Sequence, residues 1–313
     1  MIENFWVSLG AIFPIFVLIG IGLLVKQQNF MNPVELKHLN KMIFRIFFFC
    51  MLFTNIYRAD FADVWNPRLM LFSAGGVTVL LILSLIFAVL FEKRNDRRGV
   101  ITQAIFRSNF VILGIPIVVN IFGEEAAVLP SVVIAVVVPL YNIYSVAELE
   151  AFRGGTFNLV KILKGVMKNP MIQGIFCGLV FNLAGIPVPD PLMKPIAQVG
   201  ACTTPLALIV LGATFDRGQV AESVRDLRAC LIGRLFVAPL LFLSAAAALG
   251  FRGPEFVTIL AIAATPCAVA SFTMAQQMGG DANLAGNTVI FSSALSCFTM
   301  FGWIFVTKML GMF

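Results

Sequence analysis

Two stretches of this sequence decide its fold: RSNFVILGIP at residues 107–116 and TPC at residues 265–267. Each lies inside a long apolar run, and each combines polar residues with proline, which lacks the N–H that a helix interior needs. Each run is therefore predicted to be a membrane helix that is broken near its middle. Two matched, interrupted membrane helices in the two halves of a chain are the best sequence pointer to the binding site of a secondary transporter.

The composition is that of a membrane protein. Apolar residues make up 59% of the chain and charged residues 12%, with a mean hydropathy of +0.95. Soluble domains carry roughly 25% charged residues, so we expect an all-α protein that crosses the bilayer many times. Ten apolar stretches each approach the roughly 20 residues that a membrane helix needs. They lie at about 5–25, 36–57, 68–91, 100–121, 126–147, 165–184, 192–214, 229–249, 255–277 and 283–307.

The second half of the chain repeats the helix ends of the first at an offset of 158 residues. This register predicts two repeats, residues 1–155 with predicted helices 1–5 and residues 156–313 with predicted helices 6–10. Because five is an odd number, the second repeat must enter the membrane with the opposite polarity. The expected fold is a pair of inverted five-helix repeats.

The same register brings the two breaks together. Ser108 aligns with Pro266, and Asn109 aligns with Cys267. At 1.5 Å per residue, Asn109 lies about 13 Å deep from one face and Pro266 about 16 Å deep from the other. We therefore expect the breaks in predicted helices 4 and 9 to cross near the middle of the membrane.

The basic residues indicate orientation. The net charge is +6, and most lysines and arginines lie in alternate connections. The positive-inside rule makes those connections cytoplasmic and places both termini outside. The charge therefore implies a multi-pass protein of the cytoplasmic membrane, with the lipid bilayer and no nucleic acid as its partner. The cytoplasmic set is Lys26, Lys37, Lys41, Lys93, Arg94, Arg97, Arg98, Arg153, Lys161, Lys164, Lys168, Arg217, Arg225 and Arg228.

A break at this depth has chemical consequences. Pro266 frees the carbonyl of Ile262, four residues earlier. Half-helices that begin near Asn109 and Cys267 would aim free N–H groups and positive dipole ends at a cavity, which suits a carboxylate. The alternative is that these prolines and polar residues only kink ordinary membrane helices. The expected break or kink positions are Ser108, Gly114, Pro116 and Pro266.

These residues resemble motifs of the auxin efflux carrier family, which includes plant PIN carriers and many bacterial carriers. RSNFVILGIP, followed by Phe122-Gly123, resembles the family's helix-4 motif. Ala264-Thr265-Pro266, followed by Gly279-Gly280-Asp281, resembles its helix-9 motif, and Pro205-Leu206-Ala207-Leu208 is similar to its helix 7. The resemblance covers essentially the whole chain.

The resemblance implies a fold and a mechanism. The fold is that of the bile-acid sodium symporters, with helices 1, 2, 6 and 7 as scaffold and helices 3–5 and 8–10 as a moving transport core. The mechanism is an elevator-type movement of a small organic anion, such as malonate, malate or an auxin-like acid, by a homodimer in a bacterial inner membrane. The family places Asn109 against the substrate carboxylate, with Asn142, next to Tyr141, as a second contact.

Three residues depart from the family pattern. Ser108 replaces a proline, Cys267 stands where plant carriers have a polar residue, and Arg107 is an added charge. Arg107 lies about 10 Å into its helix by helical rise, and a charge at that depth is usually functional. Two roles stay open: pairing with an anionic substrate, or capping carbonyls at the crossing and reaching back to the cytoplasm. Arg45 and Arg234 lie near helix ends and are expected to snorkel to the surface.

Other polar residues complete the predicted set. Ser271 and Thr273 are expected to bond to their own helix. The amides Asn55, Gln173, Asn182 and Asn287 are expected to make hydrogen bonds between helices. The predicted substrate-binding residues are Asn109, Arg107, Ser108, Asn142, Tyr141, Thr265, Pro266 and Cys267.

Other functions are disfavoured by what the sequence lacks. It has no H-E-x-x-H, G-x-S-x-G or P-loop motif, so neither an enzyme nor a cofactor is expected. The single histidine and the absence of C-x-x-C pairs argue against a metal site. Glu148 and the other acidic residues are predicted to lie at helix ends, which disfavours proton coupling through a buried carboxylate. A sodium-coupled symporter on the same fold is the alternative, since backbone carbonyls can bind sodium.

Overall fold

The computed structural model describes residues 2–59, 66–153 and 159–313. In these ranges the chain forms seventeen α-helices, and extended backbone pairs only at one isolated bridge. In chain order they are α1 (Ile2–Gln27), α2 (Pro33–Met42), α3 (Phe48–Tyr57), α4 (Pro67–Phe91), α5 (Asn95–Phe106), α6 (Phe110–Phe122), α7 (Val128–Arg153), α8 (Leu159–Lys168), α9 (Pro170–Leu183), α10 (Asp190–Ala201), α11 (Thr203–Thr214), α12 (Arg217–Glu222), α13 (Val224–Ile232), α14 (Ala238–Ala248), α15 (Gly253–Ala264), α16 (Ala270–Met278) and α17 (Ala282–Met309).

Short non-α helical turns link some of these elements. Five-residue π-helical segments, Ile43–Phe47 and Gly233–Val237, join α2 to α3 and α13 to α14. A 3₁₀ turn at Glu124–Ala127 leads into α7. These turns keep the flanking helices continuous, so each linked run behaves as one long rod.

Six helical runs are long and apolar enough to cross a membrane, and four shorter apolar helices accompany them. Each of the ten predicted stretches overlaps one of these runs or shorter helices. The prediction of an all-helical membrane protein is therefore confirmed. The six runs are Pro33–Tyr57, Pro67–Phe91, Glu124–Arg153, Asp190–Thr214, Val224–Ala248 and Ala282–Met309, and the shorter helices are Phe13–Gln27, Phe110–Phe122, Pro170–Leu183 and Gly253–Ala264.

Three helices begin at an Asn-Pro pair. Asn32, Asn66 and Asn169 each accept hydrogen bonds from backbone N–H groups of the first turn that follows. The following proline suits the first helical position, because its missing N–H would have no partner there. The short polar sequences between apolar stretches thus set where α2, α4 and α9 start.

Two pairs of helices pack closely through glycine. Helix α1 lies along α11, and α3 lies along α9. At the first crossing Gly22 and Gly212 face each other, and a Cβ on either would overlap a backbone carbonyl oxygen of the other helix. At the second, Gly174 and Gly178 lie against the backbone of α3. Backbone-to-backbone contact of this kind is the usual basis of tight packing in membranes.

The broken helices lie at the centre of the remaining elements. Every residue of 99–110 and of 256–269 is buried, so these segments have no lipid-facing side. Helix α5 packs against α4 and α7, and α15 packs against α14 and α6. A helix that is buried all round must satisfy its polar groups within the protein. This requirement shapes the site described below.

A cluster of charged residues near the end of α4 links helices α5, α13 and α17. Arg97 on α5 pairs with Asp226 on α13 at 2.6 Å and with Asp281, the N-cap of α17, at 3.0 Å. Glu92 lies alongside: burial raises the pKa of its carboxyl, but N–H donors of Arg94 and Lys93 outweigh this and lower it overall. The Glu92 carboxyl is thus held ionised at the end of α4.

The glycine crossing of α1 and α11 gives a matched test. We expect Gly22→Ala to lower the melting temperature of the purified protein by several degrees, because the new methyl group meets backbone that cannot rotate away. Gly20→Ala, on the same helix, is the control, since a Cβ there has nothing within 4 Å. Equal melting temperatures for the two variants would contradict the packing described.

Candidate functional site

The two predicted breaks are present and lie against each other. Helix α5 ends at Phe106 and α6 begins at Phe110, while α15 ends at Ala264 and α16 begins at Ala270. Between them, Ser108 and Cys267 form an antiparallel bridge. The Asn109 N–H donates to the Pro266 carbonyl at 2.8 Å, and the Ala268 N–H donates to the Arg107 carbonyl at 3.4 Å.

This pairing changes which backbone groups are free. The sequence predicted unpaired N–H groups at Asn109 and Cys267, but the first donates to Pro266 and the second to the Ser292 hydroxyl at 3.2 Å. That expectation is wrong at these two positions, because the short bridge satisfies amides that a lone helix start would leave open. Gly114 and Pro116 lie inside α6, so the interruption ends before them.

Arg234 caps the carbonyl ends of both half-helices. Its side chain is fully buried, and its guanidinium donates to Ile105 at 2.9 Å and Phe106 at 3.3 Å on α5. On α15 it donates to Ile262 at 3.1 Å and also to Ala263. The carbonyl that Pro266 was predicted to free is therefore occupied. The expectation that Arg234 snorkels to the surface is wrong, because four buried carbonyls at two negative dipole ends hold it inside.

A cavity opens on the other side of the crossing. Its volume is about 80 Å³. Five of the predicted substrate-binding residues line it: Arg107, Ser108, Asn109, Tyr141 and Asn142. The wall opposite comes from α3 and α11, with Met51, Asn55, Thr204 and Ala207 among its residues.

Arg107 is the charge at this cavity. Its side chain is buried, and it donates to Asn142 Oδ1 at 2.8 Å and to the sulfur of Met274. It makes no salt bridge with a carboxylate among the residues that the structure describes. Of the two roles left open, carbonyl capping belongs to Arg234 instead. A buried guanidinium without a counter-charge is costly and favours an incoming anion.

Neutral donors surround this charge. The Asn109 side chain is buried, and its Nδ2 has no hydrogen-bond partner within the described chain. The Ser108 and Tyr141 hydroxyls lie 3.0 Å apart. Asn142 also donates to the Val138 carbonyl at 2.9 Å, which fixes the amide so that its oxygen faces Arg107. The arrangement supplies one cation and several hydrogen-bond donors in one small space.

The other three predicted site residues are elsewhere. Thr265, Pro266 and Cys267 do not line this cavity, although Ala268, Val269 and Ala270 do. Cys267 faces the opposite side, where it borders a space with Gln103 and Ser271 that is too small for a water molecule. The structure thus brings together the break between α5 and α6 with two residues of α7, and separates them from the side chains just after α15.

A second, wider cavity adjoins the first. It has a volume of about 410 Å³ and shares Leu52, Asn55 and Val138 with the smaller one. Arg58, exposed at the end of α3, lies at its rim with Ala127 opposite. The two cavities therefore meet at these shared residues, and the wider one extends towards the end of α3.

Comparison with known proteins decides the family. Residues 7–304 match the family described as "Membrane transport protein". The chain belongs to this membrane transport family. The predicted resemblance to the auxin efflux carriers is thereby confirmed.

Two relatives of this transporter extend over nearly its whole length. It is 23% identical over 303 residues to an "Uncharacterized transporter" of Methanothermobacter thermautotrophicus, covering 95% of this chain and 97% of that protein. It is also 23% identical over 307 residues to a protein of Rhizobium meliloti named "Putative malonate transporter", covering 96% and 95%.

Sequence reasoning missed one acidic residue of the transporter. Glu148 was predicted to lie at a helix end, but α7 continues to Arg153 and the Glu148 side chain is only 4% exposed. The missed signal was the length of α7, which runs past its apolar stretch. The expectation that Ser271 and Thr273 bond to their own helix is also wrong, because neither hydroxyl has a hydrogen-bond partner in the part of the chain described.

The amides elsewhere have mixed roles. Asn182 links helices as predicted, donating to the carbonyls of Tyr57 at 2.8 Å and Ala59 at 3.0 Å. Gln173 on α9 also links helices as predicted, donating to the carbonyl of Met167 at the end of α8 at 3.3 Å. Asn55 lines both cavities. The Asn287 Nδ2 has no partner among the described residues.

Arg234 offers a test of the capping. Replacing it in Arg234→Met should destabilise the transporter by at least about 1.5–3 kcal/mol, because hydrogen bonds from a charged donor to buried carbonyls are lost. The measurement is the melting temperature of the purified protein, which should fall by several degrees. Arg45→Met is the matched control: Arg45 lies in the other π-helical segment but is exposed, so its loss should change little. A similar small effect for both variants would refute the capping role.

Proposed function

We propose that this transporter carries a small organic anion, with a short dicarboxylate such as malonate as the first candidate. The observation that carries the proposal is Arg107, a buried guanidinium at a cavity with no carboxylate partner among the described residues. A substrate carboxylate would supply the missing charge and accept from Asn109 Nδ2, the other unpaired donor. The relative named as a malonate transporter supports the same substrate class.

The size of the cavity supports a short acid over a bulky one. Its volume of about 80 Å³ is several times what one water needs, roughly 10–15 Å³. It is well below the roughly 300 Å³ at which pockets for drug-sized ligands begin. Malonate and malate suit such a space better than the fused rings of an auxin-like acid.

We also propose that the fold is a pair of inverted five-helix repeats. Contacts between helices support this, because they occur in pairs that the offset of 158 residues relates. The pairing of α1 with α11 corresponds to that of α9 with α3, and α4 with α5 corresponds to α14 with α15. The bridge between Ser108 and Cys267 is antiparallel, which suits segments that enter from opposite faces.

Transport would follow an elevator-type movement. The scaffold is α1–α3 with α8–α11, and the transport core is α4–α7 with α13–α17. The substrate cavity lies between them, since α3 and α11 form one wall and α5–α7 the other. Sliding of the core along the glycine-packed scaffold would move Arg107 and its ligand across the bilayer. The protein acts as a homodimer in the inner membrane of a bacterium and needs no cofactor.

A sodium-coupled symporter on the same fold is the alternative. Uptake of labelled malonate into proteoliposomes separates the two, because the alternative requires a sodium gradient and the first proposal does not.

The anion site is tested by binding. We expect Arg107→Gln and Asn109→Ala each to weaken malonate binding at least tenfold, since each removes a donor to a charged acceptor worth about 1.5–3 kcal/mol. Binding is measured by the shift in melting temperature with malonate concentration. Arg58→Gln, at the rim of the wider cavity, is the matched control and should change affinity less than threefold. Unchanged malonate affinity in both site variants would contradict the proposed site. If no short carboxylate stabilised the protein, the proposed function would be contradicted.

The topology is tested by labelling intact cells. A cysteine introduced as Met309→Cys, at the exposed end of α17, should react with a membrane-impermeant maleimide added outside. Lys93→Cys, in a connection predicted to be cytoplasmic, should react only after the cells are opened. The wild-type protein gives the background, and the reverse pattern would invert the proposed orientation.

A further inference from the structure

Glu148 is a buried carboxyl that the anion site does not use. Its side chain lies inside the transport core, and neither oxygen has a hydrogen-bond partner in the described ranges. It packs on α5 at Gly99, which has no side chain: a Cβ added there would lie 3.1 Å from Glu148 Oε2. A carboxyl in such a place is expensive to keep unless it has a function.

The residues facing Glu148 connect it to the anion site. Gly99 and Gln103 lie on α5, and Arg107 is its C-cap residue. The three follow one another at intervals of four, so they lie along one side of that helix. The Gln103 side chain lies beside the Glu148 carboxyl, yet neither of its polar atoms forms a hydrogen bond of ordinary geometry within the described residues. Arg107, one turn further, is within electrostatic range of Glu148.

Arg107 is the charge that acts on this carboxyl. The nearest charges on α7 itself, Glu150 and Arg153, pair with each other at 3.2 Å, and α8 packs on the Glu150 side. Helices α6 and α16 contribute no titratable side chain, and α9 contributes only Cys177. At the start of α5, Arg97 pairs with Asp226 and Asp281, Arg94 pairs with Asp96, and Arg98 donates to the Glu92 carbonyl and to Asn95. Lys164 and Lys168 on α8 are exposed. Arg68 on α4, Glu255 on α15 and the acidic pair of the 3₁₀ turn lie towards the opposite end of α7.

We propose that Glu148 is a proton-binding site whose occupancy is linked, through Arg107, to binding of the anion. With the cavity empty, the positive charge of Arg107 favours the Glu148 carboxylate. A bound anion neutralises Arg107, and the carboxylate then takes a proton from solution onto one oxygen, where it can donate to Gln103. By reciprocity, a lower pH tightens anion binding. The ligand part of this inference rests on the proposed function.

The linkage is tested with malonate on the full-length protein. Calorimetric titrations at one pH, in two buffers of different ionisation enthalpy, count the protons taken up per malonate bound. For the wild type we expect net proton uptake and an affinity that rises by up to tenfold per unit fall in pH. Glu148→Gln, which mimics the protonated form, should bind tightly, take up fewer protons and lose most of the pH dependence. Glu150→Gln is the matched control and should behave as wild type.

A ligand-free measurement judges the proton site separately. In the ligand-free wild type and in Glu150→Gln, the infrared carbonyl band of a protonated carboxyl should appear as the pH is lowered, and this band should be missing from Glu148→Gln. If Glu148→Gln does not fold, Glu148→Asp should keep both the band and the proton uptake but move their pH range. If the wild type binds no malonate, the proposed function fails while the infrared band still decides the fate of the proton site.

Three results would overturn the inference. The first is wild-type proton uptake in Glu148→Gln. The second is an infrared spectrum in which this variant loses no band. The third is an affinity for malonate that falls when choline replaces sodium but does not change with pH.

Discussion

The structure depends on one buried cation, Arg234, which holds the carbonyl ends of two broken helices at once. A helix that stops inside a hydrocarbon layer leaves acceptors that neither lipid nor water can satisfy. Arg234 donates to Ile105, Phe106, Ile262 and Ala263, so both stops share a single donor group. Without this guanidinium, four buried carbonyls at the ends of α5 and α15 would lose the donor that they share.

The two buried arginines divide the crossing into a structural side and a ligand side. Arg234 occupies the negative dipole ends, where a cation is stabilised by the helices themselves. Arg107 lies in front, at the starts of α6 and α16, where the dipoles add to its positive charge. The protein therefore keeps an electropositive pocket in a low-dielectric interior in which Arg107 forms no salt bridge among the described residues. Asn142 and Met274 hold the Arg107 side chain in place.

The breaks could be predicted from the sequence, but the partners of the arginines could not. Proline, polar residues and the register of helix ends are all local signals, and they located residues 107–109 and 265–267 correctly. Arg234 lies nearly three turns into its helical run, where its side chain could reach outward to the surface or inward to the carbonyls. That choice depends on a π-helical turn and on carbonyls that lie 28, 29, 128 and 129 residues away in the chain. Glu148 was misplaced because α7 extends beyond its apolar stretch.

The distances along the chain between these partners govern how the protein is made. The carbonyls of Ile105 and Phe106 accept hydrogen bonds from Arg234, which follows them by 129 and 128 residues in the chain. The Pro266 carbonyl that closes the bridge comes later still. During synthesis, the carbonyl end of α5 therefore lacks this donor until residue 234 has been made. A chain that ends before residue 234 would lack both Arg234 and the Pro266 segment. Its buried backbone carbonyls would stay unsatisfied, which would favour its degradation.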